Sequence, residues 1–175
     1  MKRVIALSLS FSALVLCSGM KPIEGYEKTR WGMTPAEVQK LYPSAGGAEM
    51  LKGRLTIDDV QVAGLPAFKV FHFEPDDFSA ADRKLVRVTV NIKREASSCR
   101  SYLRLEALLA RKHGKPKAVK ARGADLPLDC KRASSAAGEY RWVGKSTVIK
   151  LAAPYTQIQV DYYDRAYLKG LETKR

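Results

Sequence analysis

Residues 86–93 read VRVTVNIK, and this stretch constrains the fold more than any other. Val86, Val88, Val90 and Ile92 alternate strictly with Arg87, Thr89, Asn91 and Lys93. Side chains on a strand point to opposite faces with a period of two, so this segment has one apolar face and one wet face. Parallel sheets are covered on both sides and their strands read as unbroken apolar runs. A half-wet strand therefore belongs to an antiparallel sheet.

Further strands fit such a sheet. Leu55 and Ile57, then Val60 and Val62, flank an expected turn at Asp58-Asp59. Residues 67–73, AFKVFHF, are apolar on both faces, as an interior strand would be. Tyr140 and Trp142, residues 148–151, and Ile158, Val160 and Tyr162 supply the rest, with hairpin connections at 143–146 and 153–155.

Two helices interrupt the strands. In RWGMTPAEVQKLYP (30–43), Thr34 is an N-cap, Pro35 loses no hydrogen bond at the first helical position, and Glu37 completes a capping box. Met33 and Val38 can close a hydrophobic staple, and Pro43 stops the helix. The second helix spans about Arg100 to Lys112, capped by Ser98 or Ser101. Its buried stripe is Tyr102, Leu105, Leu108 and Leu109, and Gly114 and Pro116 end it. The tail from Asp164 suits a short third helix. The expected class is α+β: an antiparallel sheet with the two main helices packed on one face, in an order that allows two loosely similar halves.

The beginning of the chain sets the expected compartment. MKR precedes an apolar run from Val4 to Leu16 and then CSGM, the pattern of a secretory signal peptide. The run is shorter than the roughly 20 apolar residues of a membrane span. Residues 1–19 are expected to be removed, leaving 20–175 as one exported domain with no transmembrane span, periplasmic or secreted. Leu14-Val15-Leu16-Cys17 also resembles a bacterial lipobox, which would place a lipid on Cys17. Export leaves Cys99 and Cys130 as a pair in an oxidising compartment, where a disulfide is expected.

Few motifs carry chemistry. GKST at 144–147 lacks the first glycine of a phosphate-binding loop, because Glu139 stands in its place. It also lies between strands, so a hairpin turn is expected there. His72 and His113 are far apart in sequence and have no cysteine in register, which argues against a metal site. Glu74, Asp76, Asp77 and Asp82 crowd one loop without the ligand order of a calcium site. There is no G-x-S-x-G and no H-E-x-x-H. No catalytic residue, metal or cofactor is expected.

Charge is the chain's most unusual property: 31 Lys and Arg face 18 Asp and Glu, a formal net charge of +13. Loss of Lys2 and Arg3 with the leader lowers the surplus by two only. Arg111, Lys112, Lys115, Lys117, Lys120, Arg122, Lys131 and Arg132 are concentrated in one segment, opposed by Asp125 and Asp129. A disulfide to Cys99 would draw Lys131 and Arg132 toward the second helix. The resulting positive surface would attract anionic lipid, an anionic envelope polymer or an acidic protein. Nucleic acid is not expected, because export separates the protein from it and no aromatic residue is interleaved for base stacking.

Gly32-Met33-Thr34-Pro35-Ala36-Glu37-Val38 resembles the helix start of the SmpA/OmlA family of small outer-membrane assembly lipoproteins. Leu108-Leu109 followed by Gly114 and Pro116 is similar to the leucine pair and Gly-x-Pro of the same family. This resemblance, shared with the β-lactamase-inhibitory-protein fold, implies helices against an antiparallel sheet and a role in binding proteins without catalysis. The expected function is thus an exported, non-enzymatic envelope protein acting through its sheet face or basic patch. The alternatives are a secreted inhibitor of an extracytoplasmic enzyme and a small hydrolase with no recognisable motif.

Overall fold

The computed structural model describes residues 25–46, 53–75, 82–119, 139–154 and 157–174, with the backbone alone at 118–119. The elements run α1 (Pro35–Leu41), β1 (Arg54–Val62), β2 (Leu65–Glu74), β3 (Lys84–Ile92), α2 (Cys99–His113), β4 (Lys117–Val119), β5 (Glu139–Val143), β6 (Thr147–Ala152), β7 (Gln159–Asp164) and α3 (Arg165–Thr173). The class is α+β, built on one antiparallel sheet of order β1-β2-β3-β7-β6-β5-β4. Each main helix is followed by a meander of strands, and the final strands of the two meanders, β3 and β7, pair at the sheet's centre.

Local chemistry explains the elements. Thr34 caps α1 reciprocally with Glu37: the Glu37 amide donates to Thr34 Oγ1 and the Thr34 amide donates to Glu37 Oε2 at 2.7 Å. Ser98 caps α2, and Gly114 ends it at φ +82°. Trp31 packs on the core, and its Nε1 donates to Thr147 Oγ1 at 2.8 Å, tying the start of α1 to β6.

The pairing register assigns the two faces. Phe71, Val88, Tyr162 and Ile149 lie in one cross-strand row, and Ala67, Val90, Ile92, Val160 and Leu151 share their side. Apart from Tyr162, which packs half-buried against them, these side chains form one buried cluster with Val38 of α1 and Tyr102, Leu105 and Leu109 of α2. The outer side carries His72, Arg87, Thr89, Lys150, Asp161 and Tyr163. Leu168 of α3 is buried outside the main cluster. Tyr167 and Glu172 of α3 bond to Glu74 and Arg141.

Two details differ from the sequence expectation. Asp58-Asp59 is not a turn: β1 runs through it with a register shift between Ile57 and Val60, and Asp59 sits at φ +53°. The turn falls at Ala63-Gly64, with φ +53° and +71°, joining Val62 to its partner Leu65. Val86 also leaves the buried face. Register slips between His72 and Phe73, so Leu85 takes the core position and Val86 is only half-buried.

Candidate binding surface

Of the expected basic cluster, Arg111, Lys112, Lys115 and Lys117 are exposed at the end of α2 and the start of β4. Lys120, Arg122, Lys131 and Arg132 lie outside the described residues. So do Cys17 and Cys130. Cys99 opens α2 and is disulfide-bonded.

Helical geometry extends the cluster backwards. Arg100, Leu103, Arg104, Ala107 and Arg111 are all exposed, at spacings that place them along one side of α2. At 1.5 Å of rise per residue, Arg100 and Arg111 are about 16 Å apart along the axis. The helix has a single acidic residue, Glu106, which is half-buried. Among the described residues no carboxylate lies within ion-pair distance of Arg100, Arg104, Arg111, Lys112, Lys115 or Lys117. Arg104 lies against the β1–β2 turn, its Nη2 3.4 Å from the place a Cβ would take at Gly64. Basic residues in the last turn of α2 also complement the partial negative charge of the helix end. Charge density along the chain does not single out Arg100 and Arg104; their helical spacing with Arg111 does.

The outer sheet face holds a second constellation. Asp161 Oδ1 accepts from Arg87 Nε at 3.0 Å, Arg87 Nη2 at 2.8 Å and Thr89 Oγ1 at 2.7 Å. Gln159 Nε2 donates to Asp161 Oδ2 at 2.7 Å. His72 Nε2 lies 2.9 Å from Thr89 Oγ1. Because the Thr89 hydroxyl gives its proton to Asp161, it accepts from His72, which fixes the Nε2–H tautomer. Burial, reinforced by Arg87 and Arg54, pushes the His72 imidazole down to about 3. Nucleophilic catalysis needs the order hydroxyl, imidazole, carboxylate, whereas here the hydroxyl stands between the other two. Thr89 is also only 3% exposed. The arrangement ties β2, β3 and β7 together and presents no nucleophile.

A third cluster lies on the core side. Glu27 accepts from Lys69 Nζ at 2.7 and 3.0 Å, from the Tyr26 hydroxyl at 2.9 Å and from the Tyr42 hydroxyl at 2.8 Å. Burial raises the Glu27 carboxyl, but the bonds from Lys69, Tyr42 and Tyr26 outweigh it and hold the group below its ordinary value. Lys69 also lies 5.1 Å from the Tyr26 ring centroid. Its ammonium is thereby satisfied within the fold.

Among the described residues there is no group of three or more His, Cys, Asp or Glu suited to hold a metal ion, and no helix is long and apolar enough to cross a membrane. Residues 144–146 form the β5–β6 hairpin, with the Gly144 amide donating to the Thr147 carbonyl at 2.8 Å. Compared with protein-family models, curated proteins and solved structures, the chain matched none.

Proposed function

We propose that this is an exported, non-enzymatic envelope protein that holds an anionic partner against the ridge of Arg100, Arg104, Arg111, Lys112 and Lys115. One observation carries the reading: these cations are exposed along α2 and just past its end, with no carboxylate beside them among the described residues. Cations with nearby acidic partners are largely neutralised, whereas an unbalanced row projects a field that steers and holds anions. The resemblance of residues 32–38 to the SmpA/OmlA helix start supports an envelope setting. The inhibitor alternative calls for an exposed apolar sheet, and the polar rows around Asp161 give it little support.

The test uses anionic phosphatidylglycerol vesicles, neutral phosphatidylcholine vesicles and a soluble polyanion, heparin. Each basic residue near an anionic surface contributes about 1 kcal/mol, so Arg104→Glu/Arg111→Glu/Lys115→Glu should weaken binding by on the order of 100-fold or more. Wild-type binding should also weaken steeply with added salt. Vesicle binding without heparin binding selects a lipid surface, and binding to both selects anionic polymers generally. Binding that survives the triple substitution and ignores salt overturns the reading.

A further inference from the structure

The strand register brings together a set of cations that are far apart in sequence. Lys117 of β4 pairs with Arg141 of β5, and Arg141 pairs with Lys150 of β6. The three side chains stand in one cross-strand row on the outer face, and the row continues to Asp161 of β7. Like charges directly opposite on adjacent strands repel, and three in succession are a local conflict unless something answers them.

The protein answers them only in part. Arg141 Nη2 donates to Glu139 and Nη1 to Glu172, both at 3.2 Å. Its Nε is buried and has no hydrogen-bond partner among the described residues. Asp161, the carboxylate next to Lys150, already accepts from Arg87, Thr89 and Gln159. Among the described residues no carboxylate lies within ion-pair distance of Lys150, and its nearest attraction is the Tyr163 ring, with Nζ 5.0 Å from the centroid. Arg87 lies 5.1 Å from the same ring. Burial and the Arg141 charge lower the Lys150 ammonium, against the pull of Glu139, Glu172 and Asp161. Lys117 is exposed at the strand's solvent side.

We propose that Lys117, Arg141 and Lys150 form a binding site for one tetrahedral oxyanion of the phosphate or sulfate class. The outer strands of the row are about 10 Å apart. Two lysine side chains and one intervening oxyanion span that gap. A tetrahedral anion presents oxygens in several directions and reaches both ammoniums at once, which a planar carboxylate does less well. Carboxylates also already occupy the outer guanidinium nitrogens of Arg141. The site differs from the α2 ridge, because α2 packs on the core side of the sheet and this row stands on the outer side.

The test is a phosphate titration of the full mature protein, followed by thermal unfolding and by the lysine side-chain NMR resonances, against sodium chloride of matched ionic strength. Phosphate should raise the unfolding temperature saturably beyond chloride and move the Lys150 resonance. Lys150→Met should fold at least as well as the wild type, since it removes a half-buried cation without a carboxylate, and should bind phosphate about tenfold more weakly or worse. Lys117→Gln, at an exposed position, should weaken it as well. Arg104→Gln/Arg111→Gln should keep the phosphate response while losing vesicle and heparin binding, so the two sites fail separately. Glycerol 1-phosphate competing as well as inorganic phosphate assigns the site to phosphate esters, and its failure to compete assigns it to the free ion. A wild-type response no larger than chloride, or an undiminished response in Lys150→Met, overturns the proposal.

Discussion

At the scale of single residues, the most informative groups are polar side chains held in or against the sheet. His72 remains neutral in the folded protein down to about 3, whereas an unfolded imidazole takes up a proton near 6.5. Between those values the unfolded chain binds more protons, so stability rises with pH. The contribution is fully present above 6.5 and is lost as pH falls, at up to about 1.4 kcal/mol per pH unit. His113, lowered by burial and by Lys112, acts in the same direction. Glu27, Glu37 and Asp59 are all held below the ordinary carboxylate values, so their stabilisation is intact at both pH 7 and pH 5 and is lost only at lower pH. Urea unfolding at pH 7 and pH 5 should therefore show a loss of about 1–2 kcal/mol in the wild type. His72→Gln, which can still donate to Thr89, should remove most of that difference. A pH dependence unchanged in His72→Gln would mean that the imidazole is not held neutral by the sheet.

At the scale of elements, the β1–β2 turn is where sequence and conformation disagree most. Two successive positive φ values define the mirror-image turn that suits a hairpin's twist, and Asn-Gly is its preferred pair. Ala63 occupies the first position at φ +53°, a conformation that costs an ordinary side chain about 1–2 kcal/mol. Ala63→Asn should raise the urea midpoint, by about 0.5–1 kcal/mol of stability, and an unchanged or lower midpoint would contradict the turn assignment. The same turn shows what was hard to read in the chain. Asp58-Asp59 carries the stronger turn composition, yet β1 absorbs it as an irregularity, because Leu55, Ile57, Val60 and Val62 keep their side of the sheet only if the strand continues past it. The capping box at Thr34, the α2 stripe of Tyr102, Leu105 and Leu109 (Leu108, expected with them, is only half-buried), and the alternation in β3 were legible because each depends on neighbours within a few residues. Leu85 replacing Val86 was not, since it depends on a slip against β2.

At the scale of the whole molecule, charge and covalent linkage decide behaviour. The exposed end of the basic cluster was legible as density of lysine and arginine. The row Lys117–Arg141–Lys150 was hidden, because no local pattern reveals which strands become neighbours. Cys99 stands at the start of the helix that carries the ridge. If its bond is to Cys130, closing that loop stabilises by about 3–4 kcal/mol on the chain-entropy account. Cys99→Ser and Cys130→Ser should each lower the urea midpoint by a similar amount and yield a single titratable thiol after unfolding. Unequal losses, or thiols free in the oxidised wild type, would break the pairing.

The meeting of β3 and β7 bears on how the protein is born. Thr89 and Asp161 bond across 72 positions of chain, so β3 emerges from the ribosome long before its inner neighbour exists. Until then it offers an open ladder of amides and carbonyls beside Val88, Val90 and Ile92, an invitation to neighbouring nascent chains. A molecule assembled in this order benefits from an escort that keeps the early half extended until synthesis is complete.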